Sequence, residues 1–255
     1  MSDYMPACVF ITGATAGFGA AFARRFAQAG ARVVLTGRRS ERLEALRKEI
    51  GANAHAIVLD VRDRKAVEAA ASALPAAFAD IDLLLNNAGL AQGLAFAQAA
   101  SLDDWDTMVD TNIKGLLYCT RAFLPGMVAR NRGHVINLGS VAGSYPYPGG
   151  NVYGATKAFV HQFTLNLRAD LLGTNVRATS IEPGMALTEF SEVRFKGDKA
   201  KAAKPYEGVT PMSAEEIAEC VFWVATRPPH LNINRMELMP VQQAFSPFNI
   251  DRRTS

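Results

Sequence analysis

Ala7 to Thr12 form a short apolar run that ends on Thr12-Gly13-Ala14-Thr15-Ala16-Gly17-Phe18-Gly19, and a helical pattern continues to about Ala29 before stopping at Gly30. A buried strand, a glycine-rich turn and a helix in direct succession leave few architectures open, because the helix must fold back onto the strand. The same unit turns backbone N–H groups at the helix start toward a point where a pyrophosphate can sit. Gly13 permits the tight turn, Gly17 lets backbone approach the phosphates, and Gly19 lets the helix approach the strand. With Thr15 and Phe18 these glycines form a candidate cofactor loop, although turn geometry alone would also account for them.

The rest of the chain repeats the alternation. Arg32–Thr36, Ala54–Leu59, Ile81–Leu85, Gly133–Leu138, Asn175–Ile181 and Asn232–Met239 read as strands. Between them lie helical patterns at Ser40–Ile50, from about Asp63, at Asp104–Arg130 and at Asn151–Leu172, and a last one to about Thr226 that opens with the capping box Ser213-Ala214-Glu215-Glu216. Six to seven strands alternating with helices predict an α/β fold, a doubly wound parallel sheet of Rossmann type with helices on both faces. Apolar residues make up 49% of the 255, enough for a sizeable core, and no linker interrupts them, so residues 1–255 read as a single domain.

Four stretches resist simple assignment. Asn112-Ile113-Lys114-Gly115 sits inside a helical pattern, where an asparagine and a glycine each cost stability and call for a kink or an internal water. Phe159, Phe163, Leu167 and Leu171 recur every four residues and suit core or subunit contact. Met185 to Pro211 lacks periodicity and carries five basic residues, which predicts a lid at about 185–211, a binding loop or disorder. An apolar tail with Phe245, Pro247 and Phe248 follows the last strand.

A net charge of +3 gives no footing for nucleic acid. Cys8, Cys119 and Cys220 are too few and too scattered for a disulfide framework, which points to a reducing cytoplasm, and the four dispersed histidines make no metal spacing. The apolar Ala7–Ala23 stretch is broken by Thr12-Gly13 and Gly17-Phe18-Gly19 and lacks a basic leader, so neither a membrane span nor export is expected.

After the second strand, where an NAD site commonly places an acid for the ribose 2′-hydroxyl, stands Gly37-Arg38-Arg39. Two guanidinium groups favour a 2′-phosphate and hence NADP; the bland alternative is a pair of solvated arginines opening the next helix. Asp60-Val61 closes the third strand, with Asp60 placed to reach an adenine edge or equally to cap the following helix. In Asn86-Asn87-Ala88-Gly89 the amides can tie strand ends together while small residues leave room for a ribose. The fifth strand delivers Ser140, and Tyr153 and Lys157 share a face one helical turn apart. A phenol beside an ammonium exchanges its proton nearer neutrality, which suits proton transfer with a carbonyl or alcohol oxygen.

Taken in order, Thr12-Gly13-x-x-x-Gly17-x-Gly19, Asn86-Asn87-Ala88-Gly89, Asn112, Ser140, Tyr153-x-x-x-Lys157 and Pro183-Gly184 with Thr188 resemble the short-chain dehydrogenase/reductase family over nearly the whole chain. Thr36–Arg39, Gly149–Phe159, Thr188-Glu189-Phe190, Val193–Asp198 and Asn232-Ile233-Asn234 are similar to its branch of NADP-dependent 3-hydroxy acid dehydrogenases, which act on serine and allo-threonine and reduce malonic semialdehyde; Met185-Ala186-Leu187 departs from a glycine-containing stretch there. The resemblance implies that Tyr153 is the acid/base, that Lys157 lowers its pKa and holds the nicotinamide ribose, and that Ser140 hydrogen-bonds the substrate oxygen. It implies too that Asn112 positions a water in a proton relay to Lys157, that Val61, Asn87, Pro183, Gly184 and Thr188 line the cofactor site, and that the protein is a homotetramer through the helices after Asn112 and Asn151. Branch substrates carry a carboxylate, for which Arg194 or Lys196 are candidates beside the alternative of a solvated basic loop. Reduction of another carbonyl, such as a 3-oxoacyl thioester or small ketone, and a non-catalytic NADP-binding sensor are the competing readings; a sensor would be expected to lack one of Ser140, Tyr153 or Lys157.

Overall fold

A computed structural model describes residues 4–245, so that Pro247 and Phe248 of the apolar tail lie outside the described residues. The strands are β1 (Cys8–Ile11), β2 (Arg32–Gly37), β3 (Ala54–Val58), β4 (Leu83–Asn86), β5 (Gly133–Leu138), β6 (Val176–Pro183) and β7 (Arg235–Leu238). All pair in parallel in one sheet of order β3-β2-β1-β4-β5-β6-β7. The long helices are α1 (Gly17–Gln28), α2 (Ser40–Ile50), α3 (Arg64–Ser72), α4 (Leu102–Val109), α5 (Leu116–Ala129) and α6 (Asn151–Asp170); the short α7 (Phe190–Arg194) and α8 (Lys199–Ala203) precede α9 (Ala214–Ala225).

The apolar strands are continuous because both faces of the sheet are covered. Along β1, Val9 and Ile11 point into a core shared with Phe22 and Phe26 of α1, Leu43 of α2 and Val221 of α9. Cys8 and Phe10 point to the opposite core, with Val67 of α3, Cys119, Phe123 and Met127 of α5 and Leu167 of α6. One strand therefore feeds two layers by the period-2 alternation of its side chains. The capping box at Ser213 is formed as read. Asp63 rather than Asp60 caps α3, its carboxylate accepting from Ala66 N at 3.0 Å, because Asp60 is turned back onto Arg62.

The interrupted pattern at Asn112 proves to be a π-helical turn, Asp110–Gly115, between α4 and α5. The widened turn holds Asn112 buried, its Nδ2 donating to Leu90 O at 2.8 Å and Thr156 Oγ1 at 3.0 Å while its Oδ1 accepts from Leu90 N at 2.9 Å. A methyl group at Gly115 would lie 2.6 Å from Val61 Cγ2, so the glycine permits the close passage of β3's exit. Of the four-residue series on α6, Leu167 and Leu171 are core, whereas Phe159 and Phe163 stack on each other half-exposed at 5.9 Å. The stretch expected to be without regular structure contains α7 and α8, pinned by Leu187 N to Met212 O and Met212 N to Met185 O. Both helices are five residues long, too short to show a period. No helix among the described residues is long and apolar enough to cross a membrane.

Beneath the carboxyl edge of the sheet, Asn86 Nδ2 donates to Thr120 Oγ1 and Asn137 Oδ1, and Asn137 Nδ2 donates to Thr164 Oγ1, all at 2.8–2.9 Å and all buried. Removing one member leaves desolvated partners behind. Replacing Asn137 with Leu is expected to cost roughly 2–3 kcal/mol of unfolding free energy, read as a lower urea midpoint at unchanged m; a midpoint equal to that of the parent would show that the network contributes nothing.

Candidate active site

Every strand end that matters to the site lies on one edge. The exits of β1 (Gly13), β2 (Arg38), β3 (Asp60), β4 (Asn87), β5 (Ser140) and β6 (Pro183-Gly184) open into a single cavity of about 620 Å³. In a doubly wound sheet the strand order reverses between β1 and β4, and the crevice forms there because successive crossovers leave in opposite directions. Thr15, Gly17, Phe18, Arg39, Val61, Tyr153, Lys157, Thr188 and Arg194 also line it. Three sequence-predicted residues do not: Gly19, Asn112 and Lys196. Gly19 acts behind the wall, where a methyl group would fall 2.3 Å from Gly13 O and 2.7 Å from Asn87 Nδ2. Asn112 sits under the β4 exit. Lys196, at φ +53°, pairs with Asp104 on α4 at 2.9 Å and is exposed outside the cavity.

Tyr153 and Lys157 are placed by the first turns of α6 and are both buried. Lys157 Nζ donates to Leu138 O at 2.7 Å and lies 5.8 Å from the Tyr153 ring centroid. Burial pushes the Lys157 ammonium down to about 8 and the Tyr153 phenol up to about 12, the ordinary consequence of charging a group away from water. Against that burial, the Arg194 guanidinium and then the Ser140 hydroxyl favour the ionised phenol, although Ser140 Oγ itself donates to Pro183 O at 3.4 Å. Two cations lie close to the Tyr153 ring centroid, the Arg194 guanidinium at 5.1 Å and Lys157 Nζ at 5.8 Å. Ser140 follows β5 and caps a short turn, its Oγ accepting from Ala142 N at 3.2 Å.

Arg194 closes the cavity from α7. Its guanidinium lies 5.1 Å from the ring centroids of Tyr153 and Phe190 and 5.9 Å from that of Tyr147, and Nη2 donates to Tyr147 Oη at 3.0 Å. Its buried Nε has no hydrogen-bond partner among the described residues, which leaves a donor available to an incoming acceptor. Tyr147 and Phe190 were not foreseen. Tyr147 stands between two prolines with no periodic signal, and Phe190 lies on a helix too short to have one. At the far end of the cavity Arg39 donates through Nε and Nη2 to Thr15 Oγ1 and through Nη1 to Glu189 Oε2, while Arg38 is exposed on the rim beside Asp60. A glycine-walled turn, two arginines at one end and a buried lysine at the other fit, respectively, the central pyrophosphate, the 2′-phosphate and the nicotinamide ribose of NADP. Among the described residues no cluster of three or more His, Cys, Asp or Glu could hold a metal.

The buried Lys157 gives a pH signature. Its folded pKa lies below that of the unfolded chain, so the unfolded state binds more protons between about pH 8 and the ordinary lysine value, and stability rises with pH there. Relative to Lys157→Met without ligand, the melting temperature of the parent is expected to gain roughly 2–4 °C between pH 7 and pH 9. A flat difference would mean that the lysine is not held in a desolvated site.

Residues 7–199 match the short chain dehydrogenase family. The chain is 61% identical over 245 residues to the NADP-dependent 3-hydroxy acid dehydrogenase YdfG of Salmonella typhi, covering 96% of this chain and 99% of that protein. It is 55% identical to the sulfoacetaldehyde reductase of Chromohalobacter salexigens, covering 97% and 99%. A solved structure of a closed form of serine dehydrogenase complexed with NADP+ superposes with a TM-score of 0.95 at 57% identity, covering 96% of this chain and all of that one. With the strand order, the glycine turn and the Ser140–Tyr153–Lys157 cluster already in place, this likeness decides the assignment: the chain belongs to the short-chain dehydrogenase family.

Proposed function

We propose that the protein is an NADP-dependent oxidoreductase that interconverts a small 3-hydroxy acid and its oxo form, in the class of serine, allo-threonine and 3-hydroxypropionate/malonic semialdehyde. The observation that carries the reading is the position of Arg194. A cation whose buried Nε finds no partner among the described residues lies 5.1 Å from the Tyr153 ring centroid, so an acid group held by Arg194 leaves the neighbouring carbon skeleton beside the phenol. Arg38 and Arg39 at the other end of the cavity support the 2′-phosphate, and relatives whose substrates are acids support the anion.

The nicotinamide of bound NADP takes or supplies the hydride. The chain does the rest. Tyr153 Oη removes the hydroxyl proton of the substrate during oxidation and returns it during reduction. Ser140 Oγ hydrogen-bonds the same oxygen and stabilises charge as it develops. Lys157 holds the nicotinamide ribose, and its low pKa suits it to pass the proton outward along a relay that Asn112 positions. Arg194 fixes the acid group of the substrate. Gly13, Gly17, Phe18, Thr15, Asp60, Val61, Asn87, Pro183, Gly184 and Thr188 wall the cofactor. Segment 185–211 acts as the substrate lid of a single domain that works in the cytoplasm as a homotetramer, with α5 and the half-exposed Phe159/Phe163 face of α6 as contacts.

A panel of serine, allo-threonine and 3-hydroxypropionate with NADP, and of malonic semialdehyde, a 3-oxoacyl thioester and a neutral ketone with NADPH, tests the assignment; turnover of thioester alone would overturn it. Tyr153→Phe is expected to lose at least about a thousandfold in kcat while binding NADPH normally by fluorescence titration. Arg194→Met is expected to raise KM for the acids on the order of 100-fold and to leave a neutral ketone within a few-fold, since only the charged partner is lost. A monomeric mass in light scattering would rule out the tetramer.

A further inference from the structure

Arg39, one of the two arginines assigned to the 2′-phosphate, already holds an anion together with Arg42. Glu189 Oε2 accepts from Arg39 Nη1 at 2.8 Å, and Glu189 Oε1 accepts from Arg42 Nη1 at 2.5 Å, joining residues about 150 positions apart in the chain. The pair of guanidinium groups, Arg39 first, holds the Glu189 carboxyl below its ordinary range. Arg42 lies one turn into α2, outside the Gly37-Arg38-Arg39 signature, so the cation cluster at this end of the cavity has a third member that the spacing did not reveal. Two of the five donors of Arg39 are spent on Thr15 Oγ1.

Glu189 is also the residue from which α7 starts. That helix carries Phe190, 5.5 Å from the Tyr153 ring, and Arg194, the proposed acid anchor. Just before it, Thr188 lies across the glycine turn, with its Cβ 3.2 Å from where a methyl group on Gly17 would be. The front of the lid is therefore fastened to the 2′-phosphate end of the site through one carboxylate shared by two arginines.

We infer that Glu189 is a cofactor-specificity residue, an internal counter-anion that a 2′-phosphate must displace from Arg39 and Arg42, unfastening the start of the lid as it does so. The inference rests on the proposed NADP reading of the arginines. Its physical basis is charge: a carboxylate and a phosphate dianion that draw on the same guanidinium donors exclude or repel each other, whereas a ribose 2′-hydroxyl does neither. Glu189 thus moderates the preference for phosphorylated over unphosphorylated cofactor, and ties the exchange to the helix that faces Tyr153. By linkage, what loosens the lid at Glu189 also favours the 2′-phosphate.

The fragment adenosine 2′,5′-bisphosphate separates this from catalysis, since it fills the arginine end and leaves the Tyr153 end empty. By calorimetry at low salt, Glu189→Gln is expected to bind the bisphosphate about five- to tenfold more tightly than the parent does and to bind 5′-AMP equally, the gain shrinking at high salt. In limited trypsin digestion the bisphosphate, and not 5′-AMP, is expected to speed cleavage at the basic residues 194–204 of the parent, while Glu189→Gln is cut fast with or without it. If the parent binds the bisphosphate no better than 5′-AMP, the NADP reading of the arginines falls and this inference with it. If the parent does prefer the bisphosphate but Glu189→Gln binds it equally or more weakly, or if cleavage ignores the bisphosphate, Glu189 is not its competitor and the inference alone is overturned.

Discussion

The tie between the ends of β1 and β4 is the contact on which the rest of the site depends. Asn87 Nδ2 donates to Thr12 O at 2.8 Å and Gly13 O at 3.2 Å, and Thr12 Oγ1 accepts from Asn87 N and Ala88 N at 2.9 Å each. These are the two strands between which the sheet reverses its direction of growth, so their exits must be held together while the chains leaving them part. Carboxamide and hydroxyl groups do this because each supplies both donors and acceptors to backbone atoms that the ladder cannot reach. With the exits fixed, the glycine turn, the strand ends and the first turns of α6 share one frame, and the cavity is a consequence of the frame.

Within that cavity the chemistry is governed by scarce water. Burial opposes the charged forms of both Tyr153 and Lys157, so each is displaced toward neutrality. A phenol in this state needs a positive neighbour to release its proton, and the fold brings two near its ring, Lys157 from the same helix and Arg194 from a helix outside the sheet. The proposed acid substrate is at once the ligand of Arg194 and the group whose arrival changes the field at Tyr153.

The regular parts of the fold were legible in the residues. Gly133–Leu138 and Ser40–Ile50 coincide with the strand and helix read from hydrophobic period and end signals, and Ser213 caps α9 as its sequence indicates. Other boundaries shift by one to three residues, because strand ends are set by pairing with a neighbour rather than by local preference. The π turn at Asn112 was visible only as a fault in the helical pattern; its cause, a side chain bonded to Leu90 and Thr156, is tertiary. The short helices of 185–211 escaped notice because a five-residue helix carries no period and is held by contacts at its two ends.

The sequence by itself determined the doubly wound parallel sheet, the glycine turn, the arginines after β2 and the serine, tyrosine and lysine cluster, since each is expressed in local spacing or in the residue types that a strand end requires. Only the tertiary structure placed Arg194 rather than Lys196 in the cavity wall, set it near the Tyr153 ring, added Tyr147 and Phe190 around it, and brought Glu189 onto Arg39 and Arg42. The physical reason is range. Phe190 aside, which neighbours Arg194 on one short helix, those pairings join residues 41 to 150 positions apart through side-chain direction, and direction is set by how the lid packs rather than by any period along the chain.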